Sequence, residues 1–359
     1  MHREKRRSGT FIVTLTLVLI AAFVVLPTPS FAQQKVKVAW SIYVGWMPWE
    51  YAAAQGVLQK WGDQYDIQFE LVRLDYIPSV EAYVAKQVEA CTMTNMECLD
   101  MPSASGIDST VLIVGDYSNG NDAVLTRDGI TMANIAGNVV TGVELSVSHY
   151  TIVRGLEMNG LREENITFIN TSDSDIGPMF LADTSQKVVV TWNPIVMQLL
   201  QAPGVQKIFD SSQIPGEIID CLVIRTDVLE ANPNVGKALV GAWYEVMRII
   251  SQRTTSKGAI AHMAQEAGAT PTEFVNQLKT TAMFYKPAQA VTFTTSSDLK
   301  TKMDFVRNFC FSHGLLGENA RSVDVVGIEY PDGAIQGNAS NVKMRFNVEF
   351  IQLAADGKL

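Results

Sequence analysis

Short apolar runs alternate with segments of helical periodicity in the first part of the chain, after residue 32. The apolar runs predict strands at 36–41, 67–74, 90–94 and 110–115. The periodic segments predict helices at 48–62 and 78–88, and a short helix from Glu97. Alternation of this kind indicates crossover connections and a largely parallel sheet flanked by helices. We therefore expect residues 33–118 to form the first part of an α/β lobe.

A second series of strands and helices follows the polar segment DYSNGND at 116–122. Its apolar runs predict strands near 124–126, 138–141, 166–170, 187–191 and 222–225. Its periodic segments predict helices near 149–159 and 176–182. Together they predict a second α/β lobe at 119–231, inserted into the first.

The last part of the chain, 232–359, has a mostly helical pattern. Long amphipathic segments cover 235–252, 271–281 and 297–313. We expect this part to pack back on the first lobe. Ligands of open α/β sheets bind beyond the carboxyl ends of the strands, so two facing lobes predict a ligand cleft between them.

The first 32 residues have the order of a secretory signal peptide. Basic residues at 3–7 precede an apolar run of 16 residues at 11–26. Two prolines end this run, and Ser30 and Ala32 are the small residues of a cleavage site. The run is shorter than the roughly 20 residues that span a bilayer, so we expect cleavage near Ala32 rather than a retained anchor. This predicts an exported, periplasmic protein.

The net charge and the cysteine residues further restrict the class of protein that the sequence can encode. The leader contributes +3 to the chain's net charge of −9, so the remaining 327 residues carry −12, which argues against nucleic acid as a partner. The cysteines match no zinc signature, and buried thiols or one structural bridge is the expected state. They are Cys91, Cys98, Cys221 and Cys310. No cofactor or metal is expected.

The sequence contains none of the common motifs of hydrolases and nucleotide-binding enzymes. A GxSxG elbow, an HExxH helix and a GxxxxGK[ST] loop are all absent. Beyond the leader, the histidines are His149, His262 and His313. We therefore expect no enzymatic activity, although a Cys/His pair keeps a secreted enzyme acting on a small amide or amidine as the alternative.

Four segments carry a family resemblance through their order and spacing. They are WMPWEYAAAQGVLQKWG (46–62), SVSHYTIVRGLEMNGL (146–161), VVVTWNP (188–194) and LVIRTDVLEANPNVGKALVGAWYEV (222–246). In this order they resemble the periplasmic solute-binding proteins of nitrate, taurine and sulfonate ABC transporters. The resemblance implies a two-lobed α/β periplasmic binding protein fold, without chemistry on the solute. It also implies an ABC permease and ATPase as partners, and we expect a monomer.

A narrower resemblance rests on YVGWMPWEYA (43–52), TNMECLDMP (94–102) and GDYSNGND (115–122). These segments are similar to the subgroup found with urea carboxylase-type enzymes. That similarity implies uptake of urea or guanidine.

Aromatic residues at predicted strand ends are the first candidates for ligand contact. Tyr43, Trp46 and Trp49 crowd the turn after the first strand, and Trp192 follows the strand VVVT. Aromatic faces attract cations, so a flat or cationic solute is expected to stack on such rings. Ordinary packing in the core is the alternative for each ring.

Polar residues at the same predicted positions are the second group of candidates. Asn95 and Glu97 lie in the loop TNME, where Glu97 either caps its helix or accepts hydrogen bonds from a guanidinium or urea. Asp122 lies in the predicted hinge and is also a candidate ligand. Asp220 lies near the return crossing, as a ligand or as a surface residue at a strand start.

The turn GVELSVSHY supplies two more candidates, Glu144 and Ser146. A nitrate or sulfonate would favour hydroxyls and free N–H groups at this strand-to-helix turn, and Glu144 does not fit that expectation. Carboxylates and indoles occur in these loops without lysine or arginine. The sequence therefore favours a small planar nitrogen compound, guanidinium first and urea next. Nitrate, taurine or another sulfonate remains the alternative.

Overall fold

The structure is a computed structural model that describes residue 2 and residues 33–359. The predicted signal peptide, apart from residue 2, lies outside the described residues. Residues Gln34–Leu359 form one unit that contains two β-sheets. None of the helices described here is long and apolar enough to cross a membrane.

The strands described by the structure agree with the apolar runs at most positions. They are β1 Gln34–Trp40, β2 Ile67–Arg73, β3 Ala90–Thr94, β4 Ser109–Tyr117, β5 Ala123–Thr126, β6 Val139–Gly142, β7 Thr167–Asn170, β8 Val188–Thr191, β9 Gln206–Asp210, β10 Ile219–Arg225, β11 Gly327–Glu329, β12 Ile335–Gln336 and β13 Val342–Phe346.

The helices follow the periodic segments and add several that the sequence did not predict. They are α1 Met47–Ala54, α2 Val57–Gln64, α3 Tyr76–Val84, α4 Asn95–Cys98, α5 Val147–Met158, α6 Asp173–Ala182, α7 Ile195–Leu199, α8 Thr226–Ala231, α9 Asn234–Ser251, α10 Ser256–Glu266, α11 Pro271–Leu278, α12 Pro287–Thr294, α13 Asp298–Ser312 and α14 Glu349–Ala355. A π-helical turn, Leu99–Ser103, continues α4.

The larger sheet has the strand order β12-β11-β13-β4-β10-β3-β1-β2. β1 pairs in parallel with β2 and β3, whereas β10 runs antiparallel between β3 and β4. The prediction that strand 222–225 belongs to the second lobe is therefore wrong. Residues 219–224 of β10 are all buried, and a continuously buried strand carries no signal for the sheet that it joins.

The smaller sheet has the order β7-β6-β8-β5-β9, and one continuous segment between β4 and β10 forms it. β6 pairs in parallel with β7 and β8, while β5 pairs antiparallel with β8 and β9. β9 was not predicted, because its sequence QKIFD begins with two exposed polar residues at the edge of the sheet.

The predicted helix at 48–62 is two helices, α1 and α2, separated by Gly56. Gly56 has a φ of 71°, the left-handed conformation that glycine adopts without a steric penalty and that ends a helix. The apolar periodicity continues across this break, so the pattern alone predicted one helix.

The C-terminal part contains the three predicted long helices, as α9, α11 and α13. α9 packs against α1 and α2, which flank the larger sheet. The prediction that this part of the chain is mostly helical did not include β13, which pairs in parallel with β4 and extends the larger sheet. Its sequence VKMRF alternates in polarity over only five residues, too few to stand out from the surrounding loops.

Two segments of the chain, 118–122 and 211–218, run from one sheet to the other and are called the first and second crossing. Hydrogen bonds connect the two crossings. The backbone N–H of Ser118 donates to the carbonyl oxygen of Ile218 at 3.0 Å. The hydroxyl groups of Ser118 and Ser211 are 2.6 Å apart, and the N–H of Ser211 donates to the carbonyl oxygen of Asp122. These hydrogen bonds hold the segment that contains Asp122 against the segment that contains Ile218.

Candidate functional site

A cavity of about 20 Å³ lies near strand ends of both sheets. Its lining comes from the turn after β1, the start of α3, the end of β3, both crossings, the start of α5, the end of β8 and the start of β10. The lining residues are Tyr43, Trp46, Tyr76, Thr94, Asp122, Val147, Trp192, Ile218 and Asp220. This location agrees with the general position of ligand sites in open α/β sheets.

Aromatic rings form a continuous chain around the cavity. Trp46 lies 5.0 Å from Tyr43 and 5.6 Å from Tyr76, measured between ring centroids. Tyr76 meets Trp192 edge-on at 5.7 Å. The indole N–H of Trp192 donates to the carbonyl oxygen of Ile42 at 3.1 Å, which ties the end of β8 to the turn after β1. The indole nitrogen of Trp46 is buried and has no acceptor among the described residues.

Asp122 presents a carboxyl group to the cavity from the first crossing. Its Oδ2 accepts a hydrogen bond from the Ser118 hydroxyl at 2.5 Å. Burial raises the pKa of Asp122 to about 7, with a further contribution from the charges of Glu97 and Asp116. A carboxyl group held in this way becomes ionised near neutral pH, where a nearby cation would stabilise its charged form.

Asp220 is the second carboxyl group of the lining, and Asp116 lies behind it. The two residues are direct neighbours in the antiparallel register of β10 and β4. Asp116 Oδ1 accepts a hydrogen bond from the Tyr43 hydroxyl at 2.8 Å and another from Thr281. Burial is the main cause that raises the pKa of both Asp116 and Asp220, and the negative charge of Asp116 raises that of Asp220 further.

Glu97 is fully buried behind the cavity wall and does not line it. Its Oε2 accepts hydrogen bonds from the Tyr76 hydroxyl at 2.7 Å and from the Thr94 hydroxyl. Its Oε1 accepts the backbone N–H of Val147 at 3.0 Å, at the first residue of α5. Burial raises the pKa of Glu97, and these hydrogen bonds oppose that effect. Glu97 thus occupies the positive N-terminal end of a helix from the opposite sheet.

Trp49 and Asn95, two of the predicted site residues, lie outside the cavity. Trp49 is 1% exposed and stacks on Trp243 at 5.0 Å, so it belongs to the core between α1 and α9. The Asn95 side chain accepts the N–H of Ile219 at 2.9 Å and donates to the carbonyl oxygen of Glu217 at 3.0 Å. Asn95 therefore fixes the second crossing against the end of β3 and does not line the cavity.

Glu144 and Ser146 also lie away from the cavity. Glu144 is exposed in a separate surface groove near Asp75 and Asp100. Ser146 is the N-cap of α5, where its hydroxyl accepts the N–H of Ser148 and donates to the carbonyl oxygen of Val143. Ser146 thus caps the N-terminus of α5 with its own hydroxyl, and serine is one of the residues preferred at this position.

The sequence did not single out Tyr76, Thr94 or Asp116. Tyr76 lies at the start of the helix that follows β2, just as Trp46 lies at the start of the helix that follows β1. This position at a strand end could have identified Tyr76 as a candidate from the sequence. Asp116 was noted only as the start of the polar segment 116–122. Its importance comes from its register with Asp220, which sequence alone does not give.

Residues with other possible chemistry lie elsewhere. His149, Glu163 and His313 place their ligand atoms within 4.8 Å of one another. The Nδ1 atom of His149 accepts the N–H of Leu145, so the proton of its neutral ring is on Nε2, which donates to Glu163. That tautomer has no lone pair on Nε2 for a metal.

The predicted state of the cysteines as buried thiols agrees with the structure, in which Cys91, Cys98, Cys221 and Cys310 are free and buried.

No family model and no curated protein matches the sequence. Solved structures match the fold, which is that of the periplasmic solute-binding proteins, and the predicted fold class is confirmed. The alkanesulfonate-binding protein SsuA from Xanthomonas axonopodis, bound to MOPS, is 14% identical with a TM-score of 0.62, covering 79% of this chain and 94% of that chain.

Two further solved structures show the same similarity. The periplasmic aliphatic sulphonate binding protein SsuA from Escherichia coli is 15% identical with a TM-score of 0.63, covering 80% of this chain and 95% of that chain. The periplasmic nitrate-binding protein NrtA from Synechocystis is 12% identical with a TM-score of 0.56, covering 91% of this chain and 98% of that chain. All three are named as binding proteins rather than enzymes.

Proposed function

We propose that the protein is the extracytoplasmic solute-binding component of an ABC importer. It binds a small planar nitrogen cation, guanidinium before urea, and delivers it to a membrane permease and its ATPase. The observation that carries the proposal is the lining of the cavity. Four aromatic rings and two carboxyl groups surround the space, and no lysine or arginine is among the described residues that line it.

A cation gains from both kinds of group in this cavity. Ring faces attract positive charge, and desolvation strengthens that attraction to about 2 kcal/mol or more. Asp122 and Asp220 are each 3% exposed, so a negative charge on either carboxyl group is poorly hydrated. A guanidinium ion has paired N–H donors in one plane, which match the two oxygens of a carboxylate.

The buried indole N–H of Trp46 is a free donor that an anion could use, but the other donors near the cavity are already taken. One helix end at the cavity is the N-terminus of α5, and the Glu97 carboxyl group already accepts the N–H of Val147 there. The N–H of Ser148 is taken by Ser146, and the N–H of Met96 by Thr94. Nitrate or a sulfonate would have to displace these contacts and lie beside carboxyl groups, which is unfavourable in a buried site.

The size of the cavity also restricts the solute. About 20 Å³ is far below the roughly 300–1,000 Å³ of typical ligand pockets and leaves room for about one water molecule, so the sheets must move apart before a solute enters. Guanidinium, urea and nitrate are planar and nearly equal in size, so the cavity volume does not separate them and the charge of the lining does. Larger sulfonates would require a wider opening between the sheets than these planar solutes do.

One observation favours urea as the second candidate. The buried indole N–H of Trp46 has no acceptor among the described residues, although Trp46 lines the cavity. Urea has a carbonyl oxygen that can accept this hydrogen bond, whereas guanidinium has none. A hydrogen bond from the indole N–H contributes about 1 kcal/mol to binding. A charge-assisted hydrogen bond to a carboxylate contributes more, so guanidinium remains the favoured solute.

The same geometry supports binding and release without catalysis. None of the lining residues is a cysteine or histidine, so the Cys/His pair on which the enzyme alternative depends does not line this cavity. The paired crossings suit a hinge between a lobe built on the larger sheet and a second lobe built on the smaller sheet, which the segment 123–210 forms. The proposal includes a periplasmic location for a monomer without a cofactor.

A thermal-shift panel with guanidine, methylguanidine, urea, nitrate, taurine and aliphatic sulfonates tests this function. A ligand that binds only the folded protein raises its apparent stability by RT ln(1 + [L]/Kd). We expect guanidine at low concentration to raise the melting temperature most, followed by urea. A rise with nitrate or a sulfonate, and none with guanidine or urea, would overturn the proposal.

A further inference from the structure

Asp116 and Asp220 form a buried carboxyl pair on adjacent strands. They stand directly opposite each other in the antiparallel register of β4 and β10, so their side chains point to the same face of the sheet. Asp116 is 0% exposed and Asp220 is 3% exposed. Asp220 lines the cavity, and Asp116 lies behind it against Tyr43 and Thr281.

Each of these carboxyl groups has one oxygen, Oδ2, that is buried and receives no N–H or hydroxyl donor. A Cβ atom at Gly45 would lie only 2.6 Å from Asp116 Oδ2, so the chain closes tightly over that oxygen. Because no donor reaches either Oδ2 atom, a hydrogen bond between the two carboxyl groups is the contact that this register leaves open to them. Two carboxyl groups can form such a bond only when one of them carries a proton.

We infer that a cationic solute binds in exchange for the proton shared by Asp116 and Asp220, so that the pair links binding to proton release. The inference rests on the proposed function of the cavity. Before binding, the pair has a charge of −1, with the proton on Asp220 and the bond accepted by Asp116. After binding, the solute donates its N–H groups to Asp220, the proton passes to the solvent, and the pair has a charge of −2 beside a cation.

The physical reason is the cost of two negative charges at one buried position. Two carboxylates in contact cannot both ionise unless a cation neutralises them, as paired catalytic aspartates show. The pKa of Asp220 is raised by burial first and then by the charges of Asp116 and Asp122. The other titratable groups that face or influence the pair are Tyr43, Asp122, Cys221 and Tyr285.

The choice of pH separates the pair from Asp122. Since the pKa of Asp122 is raised to about 7, Asp122 is largely ionised at pH 8 and releases few protons on binding there. Calorimetric titration of guanidinium at pH 8, in two buffers with different ionisation enthalpies, counts the protons released. We expect close to one proton for each guanidinium bound. The association constant should rise up to about tenfold for a pH increase from 7.5 to 8.5.

Asp116→Asn is the diagnostic variant. The amide Oδ1 keeps the hydrogen bonds from Tyr43 and Thr281, and its Nδ2 donates to Asp220, which then ionises without a shared proton. The variant pair has the same charge of −1 as the proton-sharing pair. We expect guanidinium to bind this variant with little proton release and with a nearly flat pH dependence. Asp100→Asn is the matched control, because Asp100 is a buried carboxyl group with a raised pKa that does not line the cavity.

The outcomes separate this inference from the proposed function. Guanidinium binding to the parent protein without proton release overturns the shared-proton inference and leaves the function in place. Proton release that persists unchanged in Asp116→Asn also overturns it. If the parent protein binds no guanidinium or other cation, both fail together. If Asp116→Asn does not fold, the two-buffer comparison and the pH dependence of the parent protein still decide the question.

Discussion

Replacing Asp122 by asparagine should make the protein more stable and a weaker binder at the same time. The cause is that burial raises the pKa of Asp122 to about 7, whereas an aspartate in an unfolded chain has a pKa of about 3.9. Between about pH 4 and pH 7 the folded protein therefore keeps a proton that the unfolded chain has released. The stability associated with that proton is fully present below about pH 4 and is lost as the pH rises to about 7.

The size of the effect follows from the difference of about three pKa units. Each unit corresponds to 1.36 kcal/mol, so the ionised Asp122 costs the folded protein roughly 4 kcal/mol at pH 8. Asp122→Asn removes this cost, and its side-chain oxygen can still accept the hydrogen bond from Ser118. We expect the variant to exceed the parent in free energy of unfolding by up to about 4 kcal/mol at pH 8, and by little at pH 4.

Scanning calorimetry at pH 4 and pH 8 is the suitable assay, because urea and guanidinium chloride are candidate ligands as well as denaturants. The variant should melt roughly 5–10 °C above the parent at pH 8. Its affinity for guanidinium should fall about tenfold or more, the value of one charge-assisted hydrogen bond. A variant that is less stable than the parent at pH 8, or that binds guanidinium equally well, would refute the reasoning.

Asp173→Asn provides the control for this experiment. Burial raises the pKa of Asp173 to about 6, but Asp173 does not line the cavity. This variant should therefore also gain stability at pH 8, while its affinity for guanidinium stays that of the parent. A loss of affinity in the control would mean that the effect of Asp122→Asn on binding is indirect.

Three further predictions concern the aromatic wall, the hinge and the thiols. Trp46→Leu should weaken guanidinium binding roughly 2- to 30-fold through loss of a ring face, whereas Trp49→Phe should lower stability and leave affinity unchanged; calorimetric titration separates them. Small-angle scattering should show a smaller radius of gyration with saturating guanidinium, and an unchanged radius with a confirmed ligand would favour a rigid pocket. Maleimide labelling should modify no cysteine in the native protein and all of them after unfolding, and a native disulfide would contradict this. The cysteines are Cys91, Cys98, Cys221 and Cys310.

Most strands and long helices were predictable because their signals are local. β3 follows the apolar run 90–94 residue for residue, and α9 follows its amphipathic segment to within one residue at each end. The sheet that β10 joins was not predictable, because its pairing with β3 and β4 depends on residues more than 100 positions away. Gly56 divided one predicted helix into two through a backbone conformation that periodicity does not report.

The candidate site was predictable in position and only partly in membership. Strand ends supplied Tyr43, Trp46, Asp122, Trp192 and Asp220, because ligand cavities form at that edge of a sheet. Packing contacts determined that the other predicted residues lie outside the cavity. The large ring of Trp49 turned into the core, and Glu97 became the partner of a helix end from the opposite sheet.

The central claim is that the charge of the solute decides binding in this cavity. Calorimetric titration of the parent protein at pH 8 with guanidinium, urea and nitrate tests it most directly, because these solutes share a planar shape and differ in charge. The cavity lining predicts saturable binding of guanidinium, weaker binding of urea and no binding of nitrate. Saturable binding of nitrate, with none of guanidinium, would contradict the account.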